Sequence, residues 1–371
     1  MTRPEPAIHP ASTPGLEDVV AADTVLSMVD GTAGRLIIRG HDLSALAGWR
    51  FEELLALLWR DFLPGNPEAD EIARRLGAAR LHTFETLSPA LLAATDDLSP
   101  VEALRLLLAS LPDSETSDHA IKAVAATGVF AAAIHRRRKG EELRAPDPAA
   151  SHAADMLAMI HGAPVAQEKA DALDAYLVTV ADHGLNASTF AARVIASTRA
   201  GLFSSVTGAL CALKGPLHGG APGPVLDMLD SIGEHGNVSE WIAAELERGE
   251  RLMGFGHRIY RVRDPRADAL KRALGKLGDP TGRLAFAEEV EREALRQLAE
   301  RHPRRPLQTN VEFFTALILE AVGFDRDSFT NVFAAGRMAG WTAHVREQEQ
   351  ADRLIRPKSR YMGPMPKNLA I

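Results

Sequence analysis

The sequence predicts a mainly α-helical protein with two domains. Apolar residues recur at helical spacing over most of the chain, as at Phe51, Leu54, Leu55, Leu58 and Trp59. Only one segment has the apolar runs and the turn that are typical of paired strands. The chain has 371 residues, and single hydrophobic cores stop growing near ~250–300 residues. A second domain is therefore expected.

The first elements are a tail and a β-hairpin. Residues 1–15 are rich in Pro, Ala and Ser and lack the apolar core of a secretory signal, which predicts a loose tail. Between Val25 and Gly40, two short apolar runs flank an Asp30-Gly31 turn signal. This pattern predicts a hairpin. Almost everything after it has helical periodicity.

Two later segments have distinct compositions. The small and apolar stretch 187–213 is interrupted by Arg193 and Arg199, whereas a membrane span needs ~20 predominantly apolar residues. It therefore predicts a buried helix that is broken once, near Gly201. The charged, Pro-containing segment 136–150 predicts an exposed connection between helices.

Composition argues against several classes of protein. The formal net charge of −7 disfavours a general nucleic-acid binder, which normally has a basic excess. Cys211 is the single cysteine, which excludes an intramolecular disulfide framework and a cysteine-rich zinc site. A protein of the reducing cytoplasm, without a membrane span, is expected.

Three motifs in the second half of the chain carry potential acid-base chemistry. They are GPLHGG (215–220) with His218, GFGHR (254–258) with His257, and NVEF (310–313) with Glu312. Each is weak alone, because a lone histidine beside glycine is more often a packed or capping residue. Two potential proton donors and one potential base together favour an acid-base enzyme. The glycines and prolines after His218 also predict a domain boundary with hinge freedom.

Further motifs complete a longer pattern. They are DHGLNAST (182–189), DPR (264–266), GR (336–337) and RPKS (356–359). In order, residue types and approximate spacing, all these motifs resemble the citrate synthase family. The resemblance extends over nearly the whole chain, from residues 36–40 to Tyr361. The short bacterial form without an extra N-terminal regulatory domain is the closest likeness.

The resemblance implies a citrate synthase-like, all-α fold. A large helical domain would comprise residues 1–219 and 326–371, with a smaller helical domain, residues 220–325, inserted between them. The implied activity is that of an acyltransferase of the tricarboxylic acid cycle, which condenses acetyl-CoA with oxaloacetate and hydrolyses citryl-CoA to citrate and CoA. Acetyl-CoA is then a co-substrate, and neither a permanently bound cofactor nor a metal is expected. A cytoplasmic homodimer is the implied form.

Three residues are implied to be catalytic. Glu312 occupies the place of the carboxylate that removes the methyl proton of acetyl-CoA. His218 matches the histidine that hydrogen-bonds the thioester oxygen, and His257 matches the one that polarises or protonates the ketone. The division is chemically sensible, because the base acts on carbon while preorganised donors meet charge that develops on oxygen. Most members of the family have aspartate at this place, so Glu312 reaches one methylene further.

Other residues are implied to bind the substrates. Oxaloacetate is a dianion, and guanidinium groups bind carboxylates bidentately. By motif, the residues that bind oxaloacetate are His183, Arg266, Arg337 and Arg356. In the family, the last of these arginines crosses to the neighbouring subunit. The residues implied to meet CoA are Arg261, Gly254, Phe255, Gly256, Arg304, Arg305 and Asn310.

Two alternative functions stay open. A 2-methylcitrate synthase would use propionyl-CoA, and an extra methyl group is worth only ~1–3 kcal/mol of discrimination. A noncatalytic binding protein would keep the substrate pockets but have lost turnover through Glu312. Separately, His344 and Glu347 share a helical face and could ligate a metal, although a surface hydrogen bond or salt bridge is the expected role.

Overall fold

The structure is a computed structural model that describes residues 14–16, 19–113, 118–216, 218–219, 222–257, 259–279, 281–304 and 306–364. It is mainly helical with one small sheet, which confirms the predicted fold class. Within these ranges, no helix has both the length and the apolar character that a membrane crossing requires.

The predicted hairpin is present and is extended by a third strand. The sheet contains β1 (Ser27–Asp30), β2 (Arg35–Ile38) and β3 (His41–Asp42), in that order and antiparallel. Asp30 Oδ1 accepts hydrogen bonds from the backbone N–H groups of Thr32 (3.0 Å) and Ala33 (2.8 Å). The turn is thus specified locally. The sequence analysis missed β3, because two residues are too short for a periodic signal.

The first half of the chain forms nine helices among the described residues. They are α1 (Phe51–Leu58), α2 (Ala69–Thr86), α3 (Pro89–Ala93), α4 (Pro100–Ala109), α5 (His119–Arg138), α6 (His152–His161), α7 (Gln167–Val180), α8 (Ala187–Ala196) and α9 (Leu202–Leu213). Helix α8 ends at Ala196, and Gly201, with a φ of 101°, is the N-cap of α9. The break predicted there is confirmed. The connection predicted over 136–150 joins α5 to α6, as expected.

The second half completes the fold. Its helices are α10 (Pro222–His235), α11 (Val238–Glu247), α12 (Pro265–Leu277), α13 (Arg283–Arg301), α14 (Val311–Val322) and α15 (Phe329–Ala351). Helix α15 is buried over most of its circumference and packs against α5, α7, α8 and α9. Helices α12 and α14 pack against α7. Helices α10–α14 span the predicted smaller domain, and its boundaries stay a prediction.

Three helix N-termini contribute residues to the functional region. Asn186 caps α8, Asp264 caps α12 and Asn310 caps α14, each with a side-chain oxygen that accepts backbone N–H groups of the first turn. Asp264 Oδ2 also accepts from Val311 N at 3.1 Å, which ties the start of α14 to the start of α12. Helix N-termini favour anions, so this end of the helices suits an anionic ligand.

Candidate active site

Arg266 is fixed at the first turn of α12 by the residue that caps this helix. Its Nε and Nη2 donate to Asp264 Oδ1 (3.0 Å) and Oδ2 (2.8 Å), and both side chains are buried. Burial alone would lower the pKa of Arg266, but the Asp264 carboxylate raises it above its ordinary value. The bidentate pair therefore holds a charged guanidinium with one edge already occupied.

His257 lies next to this pair with its ring orientation set by the backbone. Its Nδ1 lies 3.0 Å from both Ile259 N and Tyr260 N, and these N–H groups can only donate. A neutral imidazole then carries its proton on Nε2. This atom lies 3.3 Å from Arg266 Nη2, which can also only donate, so the contact between them is not a hydrogen bond in this tautomer. Burial, with the positive charge of Arg266, lowers the pKa of His257 to about 4.

The glycine-rich segment before His257 pairs with the segment before α14. Asn310 N donates to Gly254 O at 2.9 Å, and Asn310 Nδ2 donates to Gly256 O at 2.8 Å. Both glycines have positive φ, 83° and 85°. A Cβ at Gly254 would lie 2.8 Å from Phe313 Cβ, so the close approach requires glycine. The sequence analysis predicted no pairing here, yet it brings the His257 and Glu312 segments together.

Glu312 lies in the first turn of α14, and its backbone N donates to Asn310 Oδ1 at 2.9 Å. Its Oε2 is buried and has no hydrogen-bond partner among the described residues. Burial raises the pKa of Glu312 to about 7, against the lowering effect of Arg266 and with a smaller raising effect of Asp264. The carboxyl group can therefore exchange a proton near neutral pH.

His218 contacts the N-terminus of α8. Its Nε2 lies 2.9 Å from Ser188 Oγ and 3.4 Å from Ser188 N, whose N–H can only donate. Trp341 Nε1 also donates to Ser188 Oγ, at 3.1 Å. Burial, with the positive charge of Arg337, lowers the pKa of His218 to about 4. The ring is thus neutral near pH 7 and carries a single N–H donor.

Arg337 is fully buried on α15. Its Nη1 donates to Val180 O at 3.2 Å, and its Nη2 donates to Thr189 Oγ1 at 2.9 Å. Its Nε is one of the buried polar atoms that have no partner in the described chain. Burial lowers the pKa of Arg337 to about 10, so the guanidinium stays charged at neutral pH and keeps one donor free.

His183 joins these groups electrostatically. Burial, and then the charges of Arg337, Arg266 and His218, hold the pKa of His183 well below its ordinary value. These three neighbours come from α15, α12 and the loop after α9. The predicted histidines, two of the predicted arginines and Glu312 therefore lie in one region.

Other predicted site residues lie elsewhere. Arg356 is exposed in the segment after α15, where the backbone N of Ile355 donates to Ser197 Oγ at 3.1 Å. Arg261 and Arg304 are exposed, and Phe255 is half-buried against Phe313. Arg305 lies outside the described residues, as do three residues of the histidine motifs, Leu217, Gly220 and Arg258.

One expectation about α15 is wrong. His344 is not at the surface but fully buried, because α15 is enclosed by other helices. Its Nδ1 lies 3.0 Å from Arg193 Nη1, and its Nε2 lies 3.2 Å from Asp182 Oδ1. Both nitrogens are thus engaged. In the part of the chain that the structure describes, no cluster of three His, Cys, Asp or Glu side chains could hold a metal ion.

The sequence analysis missed several residues that build the site. Asp264, Ser188 and Thr189 lie inside the quoted motifs, but only their neighbours received roles. A usable signal existed for Asp264, because an aspartate followed by proline is typical of a helix N-cap and N1 position. Ser188 and Thr189 had no comparable signal, since their partners lie 30 and 148 residues away in the sequence.

Comparison with known proteins agrees with this geometry. The chain matches the family described as "Citrate synthase, C-terminal domain" over residues 15–358. It is 38% identical to citrate synthase of Haloferax volcanii, covering 94% of this chain and 95% of that protein. It is 36% identical to 2-methylcitrate synthase of Mycobacterium tuberculosis, covering 98% and 93%.

A solved structure extends the likeness to three dimensions. Citrate synthase from Thermoplasma acidophilum, in a ternary complex with carboxymethyl coenzyme A and oxaloacetate, superimposes with a TM-score of 0.83. It is 28% identical, and the match covers 96% of this chain and 97% of that one. The fold, the clustered motifs and the full-length likenesses lead to one conclusion: the chain belongs to the citrate synthase family.

Proposed function

We propose that this protein is a citrate-forming acyltransferase that condenses acetyl-CoA with oxaloacetate and hydrolyses citryl-CoA to citrate and CoA. Family membership supports the activity. The observation that carries it is the placement of Glu312, a buried carboxyl with a pKa of about 7 and an unpartnered oxygen, in one region with neutral histidines and arginines. Such a set can deprotonate carbon and stabilise negative oxygen.

The first chemical step is assigned to Glu312 and His218. The Glu312 carboxylate removes a proton from the methyl group of acetyl-CoA, and the electron pair moves onto the thioester oxygen. The neutral His218 ring donates its N–H to that oxygen. A neutral imidazole donor avoids a charged group that would compete with the base for its proton.

The second step is assigned to His257. The enol carbon attacks the ketone carbon of oxaloacetate, which forms the new carbon–carbon bond and leaves negative charge on the former ketone oxygen. His257 Nε2–H donates to this oxygen, because two backbone N–H groups hold Nδ1 as an acceptor. Water then hydrolyses the thioester and releases CoA as the thiol.

The carboxylates of oxaloacetate are assigned to Arg266, Arg337, His183 and, from the second subunit, Arg356. Asp264 occupies the Nε–Nη2 edge of Arg266, so Nη1 is the donor left for a ligand. Arg337 keeps Nε free in the described surroundings. Two preorganised guanidinium groups beside helix N-termini suit a dianion. The Thermoplasma relative contains oxaloacetate together with a CoA analogue, which supports the substrate pair.

Coenzyme A is assigned to the segment around the second histidine motif. Glycines at 254 and 256 let the backbone approach a ligand closely, and Asn310 fixes this segment to the start of α14. Arg261, Arg304 and Arg305 supply positive charge for the phosphates. The exposure of Arg261 and Arg304 suits the end of a bound CoA that reaches the surface.

Two domains that close on oxaloacetate complete the proposal. Residues 220–325 form the smaller domain, and its movement excludes water until condensation is over. Acetyl-CoA should then bind tightly only after oxaloacetate. Calorimetric titration of acetyl-CoA with and without saturating oxaloacetate tests this order, and equal affinities would contradict it.

We also propose a cytoplasmic homodimer with composite sites, in which Arg356 completes the site of the neighbouring subunit. This residue lies in an exposed segment beyond α15, away from the residues gathered around Glu312. Mixed dimers of Glu312→Gln and Arg356→Ala chains should regain one intact site, although each homodimer is inactive. A mixture with no more activity than the separate variants contradicts shared sites.

A second candidate is 2-methylcitrate synthesis, because a relative with that name is 36% identical over nearly the full chain. Thiol release from acetyl-CoA and propionyl-CoA at saturating oxaloacetate tests both activities. Faster turnover with acetyl-CoA supports the main proposal, and faster turnover with propionyl-CoA replaces it with the second. No turnover with either substrate would indicate the noncatalytic binding protein.

A further inference from the structure

Ser27, at the start of β1, contacts the loop that carries His183 on both sides of the histidine. Its hydroxyl donates to Asp182 Oδ2, and its Oγ accepts from Gly184 N at 2.8 Å. Asp182 and Gly184 are the residues directly before and after His183. The Ser27 side chain therefore holds the residues on both sides of His183.

Asp182 connects Ser27 to a second substrate-binding group. This carboxylate is fully buried, and its Oδ1 lies 3.2 Å from His344 Nε2 and 3.9 Å from Arg337 Nη2. A buried carboxylate requires hydrogen bonds and positive charge to offset its lost hydration. Asp182 has both. Its position thus sets the position of His183 through the chain and of Arg337 through charge.

The same polar chain continues to the N-terminal segment. His344 Nδ1 accepts from Arg193 Nη1, since an arginine can only donate. Arg193 Nη1 also pairs with Glu347, and Glu347 Oε1 accepts from Val25 N at 2.8 Å. The segment that leads into β1 is therefore held at Val25 and again, two residues later, at Ser27.

The other end of the hairpin contacts the second histidine loop. Gly31 O, in the turn between β1 and β2, accepts from Arg261 N at 2.8 Å. A Cβ at Gly31 would lie 2.3 Å from Ile259 O, so the turn packs directly on the backbone that follows His257. The hairpin thus touches both loops that carry the histidines assigned to oxaloacetate.

We propose that the first strand and the turn of the N-terminal hairpin, residues 27–34, are a positioning element for oxaloacetate, and that Ser27 and His344 are positioning residues that act through Asp182. The inference rests on the proposed function, because it concerns how the same substrate is held. Neither side chain is assigned a contact with substrate. Loops hold functional groups less accurately than strands and helices, and a displacement of ~1 Å can cost ~10²-fold in rate. The contacts of the hairpin hold the two loops that carry His183 and His257 in place.

The test is the affinity for oxaloacetate of Ser27→Ala, measured by calorimetry without acetyl-CoA. Loss of two hydrogen bonds, one of them to a charged group, should raise Kd for oxaloacetate roughly tenfold or more. The KM for oxaloacetate should rise in parallel, while kcat at saturating oxaloacetate and KM for acetyl-CoA change much less. Ser27→Thr keeps the hydroxyl and should restore most of the affinity. A general loss of structure would not produce this split.

A matched control is Ser205→Ala. Ser205 is fully buried on α9, and its hydroxyl donates to the backbone of Gly201 at 2.7 Å. This variant loses a hydroxyl at no site assigned to the reaction, so its Kd for oxaloacetate should equal that of the wild type. His344→Gln tests the network from the other side of Asp182 and should also weaken oxaloacetate binding.

The outcomes separate the two proposals. If the wild type turns over acetyl-CoA with oxaloacetate but Ser27→Ala and His344→Gln bind oxaloacetate as tightly as it does, the positioning role is wrong and the function stands. If Ser205→Ala weakens binding as much as Ser27→Ala does, the effect is not specific to the hairpin, which also overturns the inference. A wild type that binds no oxaloacetate removes the proposed function and this inference with it.

Discussion

Two buried carboxyl groups in this protein have pKa values that burial raises, but their surroundings differ. Burial raises the pKa of Glu312 to about 7 and the pKa of Asp174, in the middle of α7, to about 8. Asp174 Oδ1 accepts from Phe51 N at 2.9 Å and so satisfies the first turn of α1. Glu312 Oε2 finds no such partner in the described chain. A raised pKa alone therefore does not mark a catalytic group.

The neighbours explain the difference. Around Asp174, a second carboxylate, Glu52, adds to the raised pKa and itself accepts from His152 N at 2.6 Å. Both carboxylates serve helix N-termini of the large helical core, a structural use. Glu312 instead faces the charge of Arg266 and lies on a segment hydrogen-bonded to the glycines before His257. Glu52 Oε2 also has no partner in the described chain, so the two uses are separated by the neighbouring Arg266 and His257 segment and not by an unpartnered oxygen alone.

The largest effect is expected from Glu312→Gln. The amide keeps the shape but cannot accept the methyl proton, so kcat should fall about 10²- to 10⁴-fold, the usual range for a lost general base. Thiol release at saturating substrates measures this loss. Oxaloacetate affinity should change little, as a calorimetric control. Wild-type turnover in this variant would show that Glu312 is not the base, and the contrast with Asp174 would lose its meaning.

A smaller loss is expected from Glu312→Asp. The charge survives, but the carboxylate retreats by one methylene from a position that the start of α14 fixes through Asn310. A displacement of ~1 Å can cost ~10²-fold, so kcat should fall by about that factor. The same thiol-release assay applies. A variant as fast as the wild type would mean that the segment shifts freely, contrary to its hydrogen bonds.

The change in kcat/KM per pH unit should be smaller than the loss expected from either Glu312 substitution. Because the pKa of Glu312 is raised to about 7, kcat/KM for acetyl-CoA should rise with pH and level off above neutrality. Below the midpoint, the slope should approach tenfold per pH unit, since only the ionised carboxylate acts as base. His218 and His257, with a pKa of about 4 each, stay neutral throughout. A flat profile from about pH 5.5 to 9 contradicts the raised pKa.

The smallest effect on turnover is expected from Asp174→Asn, which should leave kcat unchanged. Its effect is on stability. The folded-state pKa of about 8 lies above the ordinary 3.8, so the native protein binds the extra proton and loses stability as pH rises through this interval. Asparagine does not titrate, so the variant lacks this part of the decline in stability with rising pH. The free energy of unfolding, measured with denaturant at pH 5 and pH 8.5, should fall less with pH for the variant than for the wild type. Equal changes in the two proteins contradict this.

Much of the fold could be predicted because its signals are local. The Asp30-Gly31 turn is closed by bonds within three residues, and the break near Gly201 contains a glycine with a φ of 101°. The short strand β3 and the pairing of Phe255 with Thr309 had no such signal. The second pairing joins segments more than fifty residues apart, so no local pattern could record it.

The candidate site was predictable as residue types but not as a geometry. His218, His257, Glu312, Arg266 and Arg337 were named from motifs, and the structure brings them together with His183. The partners that orient them were missed, as Ser188 was for His218. His344 was expected at the surface. Helix α15 is buried on nearly all sides, so the pattern of its sequence does not indicate a buried face.

The sequence by itself determined the helical class, the hairpin and the family, and it supplied the residues to which the reaction is assigned, because each depends on spacing or composition along the chain. Only the tertiary structure decided that the pKa of Glu312 is raised to about 7, that His218 and His257 are neutral near pH 7, and that the hairpin contacts both histidine loops. These properties depend on burial and on hydrogen-bond partners from distant segments. Solvent exclusion and contact at a few ångströms exist only after the chain has folded.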